Sequence, residues 1–147
     1  MRGQYTTVAL SIWFILAGCE SMPRLRAVSV EPNPDAENST DFTHQVSFQL
    51  TNVTPKTYWV FKDSLGPAYT WINHSDTDAE EKPGSFCGTF LVPQPLRPGS
   101  SWTFLQLADK GYELQVAVTL YADEASAQAN RCGLQIWSDR VPVPITD

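Results

Sequence analysis

The chain has 147 residues, a formal net charge of −6, 42% hydrophobic and 18% charged residues. That length suits one domain plus a targeting segment, and the apolar content suits a packed core rather than disorder. The acidic balance counts against binding nucleic-acid phosphates, and against a polybasic membrane patch.

The first element is apolar. Residues 8–18, VALSIWFILAG, carry no charge, and Arg2 is the only charge in the first 18 residues. A spanning helix needs about 20 apolar residues, so this run is too short and has the length of a signal-peptide h-region. Its end, Leu16-Ala17-Gly18-Cys19, resembles the lipobox of bacterial lipoproteins. The resemblance covers about the first twenty residues. It implies a signal peptide over 1–18, cleavage before Cys19, and diacylation of the Cys19 thiol. The new amino group is usually acylated as well. Two or three acyl chains anchor far more firmly than one, because each buried CH₂ contributes about 0.8 kcal/mol. In that class an Asp after the cysteine marks retention in the inner membrane. Glu20 stands here, which implies the outer membrane, facing the periplasm. The alternative is an ordinary secretory signal with a chance cysteine.

Residues 19–25 then read as a lipidated tether and 26–147 as the folded domain. Period-two alternation dominates that domain. Strands are expected at 26–31, 46–52, 57–61, 68–72, 86–92, 100–107, 112–121, 132–137 and 140–145. In 46–52, Val46, Phe48 and Leu50 share one face. In 112–121, Leu114, Val116, Val118 and Leu120 do so. Segment 26–31 puts Val28 and Val30 together. Segment 100–107 suggests an irregularity near Phe104–Leu105. Segment 140–145 sets Val141, Val143 and Ile145 opposite Pro142 and Pro144, which suits an edge strand. SLGP, KPG, RPG and DKG supply turns. Residues 122–131, rich in alanine and small polar residues, suit a short helical turn. The 11 prolines fit this turn-rich plan. The pattern predicts an all-β fold, an antiparallel sandwich of about eight strands that resembles immunoglobulin-like domains of bacterial surface and periplasmic proteins. The antibody Cys–Trp–Cys spacing is absent, so the resemblance is to an architecture. A small barrel or a transthyretin-like sandwich is the competing fold.

Three cysteines occur: Cys19, Cys87 and Cys132. If Cys19 is acylated, Cys87 and Cys132 remain as the possible intramolecular disulfide in an oxidising compartment. Such a bridge would close about 45 residues and contribute about 2–4 kcal/mol. Two separate thiols are the alternative. No C-x-x-C spacing suggests redox chemistry, and two distant histidines do not complete a zinc site. No metal and no cofactor is expected.

Candidate chemistry is sparse. His44 shares parity with Phe42, Val46 and Phe48 and reads as a hydrogen-bonded histidine at the mouth of the core. His74 opens the polar stretch 73–81, where Asp76, Asp78 and Glu80 alternate as Ca²⁺ ligands do. Glu81 follows where a calcium loop needs glycine, so a solvated loop is the plainer reading. No hydrolase, zincin, P-loop or dinucleotide motif occurs, and no enzyme activity is expected. The aromatics say more. Tyr58 and Trp59 are adjacent and must point to opposite faces. Tyr69 and Trp71 share a face. Trp59, Tyr69 and Trp71 are the candidate ligand-contacting rings, able to stack on sugars or anchor a partner, with core packing as the alternative. Asn38, Asn52 and Asn73 head Asn-x-Ser/Thr triplets, the signal of a secreted eukaryotic glycoprotein.

The expected function is a membrane-anchored, non-enzymatic module that binds another envelope protein. A carbohydrate- or peptidoglycan-binding domain is the alternative, ahead of a small envelope hydrolase or a secreted glycoprotein.

Overall fold

Alternating apolar residues cannot bury a single face until other strands cover it, and this chain builds its covering from several antiparallel sheets. The computed structural model describes residues 21–36, 42–84 and 90–145. Among these, ten strands and one helix follow in order: β1 (Arg24–Pro32), β2 (His44–Thr51), β3 (Tyr58–Lys62), β4 (Thr70–Asn73), β5 (Lys82–Pro83), β6 (Val92–Leu96), β7 (Ser101–Ala108), β8 (Glu113–Leu120), α1 (Glu124–Gln128), β9 (Leu134–Trp137) and β10 (Val141–Pro142). One sheet has the order β1-β2-β7. A second runs β10-β8-β4-β5, with β9 also on β8. β3 and β6 form a pair, joined to the end of β8 where Trp59 bridges Tyr121. All the ladders are antiparallel.

The two cleanest alternations supply the core as expected. Val46, Phe48 and Leu50 of β2 and Leu114, Val116, Val118 and Leu120 of β8 are all buried, and they cluster with Phe104, Val60 and Leu96. Phe48 lies opposite Phe104, with ring centroids 5.8 Å apart and nearly parallel. Each such side chain contributes about 1.5–3 kcal/mol on burial. His44 is buried beside them, its Nδ1 2.8 Å from the Thr43 hydroxyl.

Turns fall where the glycines sit. Ser100 N–H donates to Arg97 C=O at 3.0 Å, and Gly99, following Pro98, has φ +77°. Proline then a positive-φ residue is the type II signature. Next to this turn Asn52 forms a buried corner. Its Nδ2 donates to Lys56 C=O (2.7 Å) and Leu96 C=O (2.8 Å), and its Oδ1 accepts from Thr54 N–H (3.0 Å) and Thr54 Oγ1 (2.8 Å). That one side chain ties loop 52–57 to the end of β6. The helical turn is shorter than the alanine-rich stretch. Asp123 caps α1 by accepting from Ser126 N–H at 2.7 Å.

The structure corrects four local expectations. The β2–β7 register is unbroken from His44↔Ala108 to Thr51↔Ser101, so no irregularity occurs at Phe104–Leu105. The irregularity lies in β1, where the register shifts between Ala27 and Ser29. That extra residue throws Val28 outward, 49% exposed, away from Val30, as a bulge does. Ile145 does not share the buried face of Val141 and Val143 and is 75% exposed. The strand expected over 86–92 falls partly on residues outside those described, and pairing begins at Val92. It continues through Pro93 and Pro95, residues that argue against a strand. Trp59 exchanges its N–H and C=O with Tyr121 (2.8 and 2.9 Å). Its β6 partner Pro95 therefore stands where the ladder asks for no N–H, and among the described residues β6 pairs on one side only.

Candidate functional site

Strand parity builds an apolar cleft on the back of β8. Leu114 to Leu120 point into the core at even positions, so Ala117, Thr119 and Tyr121 point the other way. Trp59 and Phe61 of β3 share that outer side, because Trp59 lies opposite Tyr121. Phe61, Ala68, Thr70, Ala117, Tyr121 and Asn130 surround an open cleft of about 420 Å³. The Phe61 and Tyr121 rings meet edge to face, 5.9 Å apart at 87°. The Tyr121 hydroxyl donates to Asn130 Oδ1 at 2.6 Å, and Asn130 holds a positive φ of 48°. Beside the cleft, Glu81 accepts from Thr70 Oγ1 and from Gln135 Nε2. The described lining offers hydroxyls, one amide and apolar surface, a set suited to holding an apolar group rather than moving a proton.

The candidate rings are not brought into one row. Tyr69 and Trp71 do share a face, but it is the inner one, since Trp71 lies opposite Val116. Tyr69 is 6% exposed and packs 4.6 Å from Phe104. Its hydroxyl proton lies between Leu105 C=O (3.0 Å) and Gln106 Oε1 (2.9 Å). Gly84 sits against that ring, where a Cβ would collide with it. Trp71 is half-buried. Its Nε1 donates to Pro83 C=O at 3.2 Å, and the Lys82 ammonium lies 5.1 Å above the ring. Trp59 is half-buried on the opposite side, while its neighbour Tyr58 packs against the core. The residues that sequence reasoning left without a role are Phe61 and Tyr121. Tyr121 ends the β8 run with parity opposite to Leu120, which was the available signal.

The other polar candidates separate. His74 Nε2 lies 2.8 Å from Gln115 Oε1, and no group of three or more His, Cys, Asp or Glu converges among the described residues. Asn52 is fully buried and Asn73 is 2% exposed. Neither presents its amide nitrogen to solvent as a glycan would require. The Asn73 Oδ1 accepts from Ser75 and from Glu113 N–H, while its Nδ2 has no partner. Asn38 lies outside the described residues, as do Cys19 and Cys87. Cys132 carries a free, exposed thiol at φ 54°. The burial of Tyr112, and then the charges of Asp76 and Asp109, raise its phenol above the ordinary tyrosine range. No helix among the described residues is long and apolar enough to cross a membrane. Comparison with protein-family models and with curated proteins returns no match to this chain.

Proposed function

We propose that this chain is an envelope lipoprotein, anchored through Cys19, whose immunoglobulin-like sandwich is a non-enzymatic protein-binding or accessory module. The observation that carries the reading is the sequence Leu16-Ala17-Gly18-Cys19, set five residues ahead of the first strand. A targeting segment and a folded unit adjoin with almost no linker. The sandwich reading is supported by one core drawn from β2 and β7 on one side and β8 on the other. The burial of Asn52 and Asn73 weighs against a secreted glycoprotein. The apolar cleft behind β8 is the surface offered to a partner side chain. Export to an oxidising compartment would join Cys132 to Cys87, which peptide mapping without reductant detects.

Metabolic labelling with palmitate tests the anchor. Wild type takes up label and partitions with membranes. Cys19→Ser takes up none. Soluble, unacylated wild-type protein would overturn the reading. Photo-crosslinkers at Leu91 and Thr119, both lining the cleft, test the binding half. A discrete protein adduct from these positions, and none from Ile145, is expected. Equal adducts from all three would remove the cleft as the docking surface.

A further inference from the structure

Net charge conceals how the charges are arranged. The antiparallel register gathers cations at the end of the domain where the tether enters. Arg24 lies opposite Thr51, and Thr51 opposite Ser101. Asn52 N–H donates to Ser100 C=O, Gly99 N–H to Asn52 C=O and Ser100 N–H to Arg97 C=O, which holds Arg97 at the same end. Lys56 is fixed there through its carbonyl on Asn52. Met22, Lys56, Cys132 and Leu134 line one hollow of about 250 Å³, and Arg131 precedes Cys132. Arg24, Lys56, Arg97 and Arg131 are all exposed. Among the described residues the carboxylates at this end are Asp123, whose oxygen caps α1, and Glu124, and Glu20 of the tether adds a third in sequence. At the other end lie Glu31, Asp35, Asp76, Asp78, Asp109 and Glu113 with Lys110 and Arg140, and Arg140 pairs with Glu113 at 3.5 Å. Two apolar side chains project at the cationic end: Val53, 45% exposed, and Leu134, 52% exposed.

We propose that this end of the domain seats on the anionic phospholipid headgroups of the membrane that holds the anchor. The inference rests on acylation of Cys19. Met22 packs against the core, and three residue steps from Cys19 to Met22 span at most about 10 Å. The Debye length at physiological salt is about 8 Å. The tether is thus of the order of one Debye length, so the anchor holds the cationic end of the domain near the surface charge while the acidic end points away. Each basic side chain near an anionic surface favours contact by roughly fivefold, so three arginines together contribute about a hundredfold. Val53 and Leu134 then reach the interfacial layer. The domain lies against the membrane in one orientation instead of tumbling on its tether.

The test uses the full acylated protein in phosphatidylcholine vesicles with and without phosphatidylglycerol. A photo-crosslinker replaces Val53 or, at the opposite end, Ile145. With phosphatidylglycerol, lipid adducts from Val53 are expected to exceed those from Ile145 by about tenfold or more. The excess is expected to vanish at about 0.5 M salt and in the variant Arg24→Ser/Arg97→Ser/Arg131→Ser. Equal lipid adducts from the two positions would overturn the proposal. So would a Val53 excess indifferent to phosphatidylglycerol and to the triple substitution. The mass of the N-terminal peptide separates the two readings. An unmodified Cys19 overturns the anchored reading and this inference with it. An acylated Cys19 with equal adducts overturns the seating alone.

Discussion

Truncating Asn52 to alanine removes four hydrogen bonds at once, but they do not weigh equally. Lys56 C=O belongs to an exposed residue and also accepts from Thr54 Oγ1 at 3.2 Å, so it keeps a partner. Leu96 C=O keeps its place in the β3–β6 ladder. Thr54 N–H, buried at a residue 4% exposed, loses its acceptor outright. A buried group left unsatisfied costs about 1–3 kcal/mol. Adding the void left by the amide gives an expected loss of about 3–5 kcal/mol for Asn52→Ala. For a domain of this size that corresponds to a fall in Tm of about 10–20 °C. Urea denaturation followed by tryptophan fluorescence reads it as a lower midpoint at unchanged slope. Val53→Ala, one residue away and half exposed, should move stability by less than about 0.5 kcal/mol. Asn52→Asp sharpens the case. It keeps the Thr54 acceptor but turns an oxygen toward two carbonyls. It should be at least as damaging as alanine at neutral pH and recover partly in acid, where a protonated carboxyl regains one donor. A loss below about 1 kcal/mol for Asn52→Ala would show that the corner is held by its backbone alone, and the reasoning would fail.

Three further outcomes are expected. Phe48→Ala should cost about 3–5 kcal/mol, because Phe48 is fully buried against Phe104, whereas Val28→Ala on the bulge should be nearly neutral. Equal costs in urea titrations would contradict the β1 register. Burial and the Asp76 and Asp109 charges raise the Tyr112 phenol. The stability this contributes is therefore complete below the ordinary tyrosine range and is lost as pH climbs through the raised value. Absorbance titration should show one tyrosine ionising late, and Tyr112→Phe should remove it and soften alkaline unfolding. The Ser126 backbone N–H, and then its side chain, hold the Asp123 carboxyl below the usual carboxylate range. Its capping contribution is present above that range and lost as pH falls through the lowered value. The protection factor of the Ser126 amide, its exchange rate relative to the unstructured rate at the same pH, should fall in acid, and at neutral pH in Asp123→Ala. Unchanged protection would refute the cap.

Legibility followed the range of the interaction. β2 and β8 were readable because each is buried on a single face, so side-chain period and burial coincide in Val46-Phe48-Leu50 and Leu114-Val116-Val118-Leu120. β6 was missed because its residue preferences, Val-Pro-Gln-Pro-Leu, contradict a ladder. It pairs with β3, and its Pro95 fits there because Trp59 turns its own N–H toward Tyr121, a contact 62 positions away. The bulge at Val28 was invisible for the same reason. It is a property of the β1–β2 register and not of either strand. The candidate rings show the same limit. Parity correctly paired Tyr69 with Trp71 and split Tyr58 from Trp59. Which side was the core depended on β8 lying beside β4.

A composition sums its ions, and −6 argues against any basic membrane surface only if the cations are scattered. In an antiparallel fold they are not scattered by default. Residues just before an ascending strand, just after a descending one and at the turn between them fall at one end of the layer. Arg24 precedes most of β1, Lys56 follows β2 and Arg97 follows β6, so three hairpin ends place three cations together although 73 positions separate the first from the last. Asp35, Asp76, Asp78 and Asp109 sit in the opposite connections, after β1, β4 and β7. A lipid anchor at Cys19 enters beside Arg24 and so selects the cationic end. Moving the lipid attachment to the C-terminus, beyond the exposed Ile145, would present the acidic end to the same membrane. Lipid adducts from Val53 should then fall to background while the anchor still holds. Persistence of those adducts would mean that something other than this charge arrangement orients the domain.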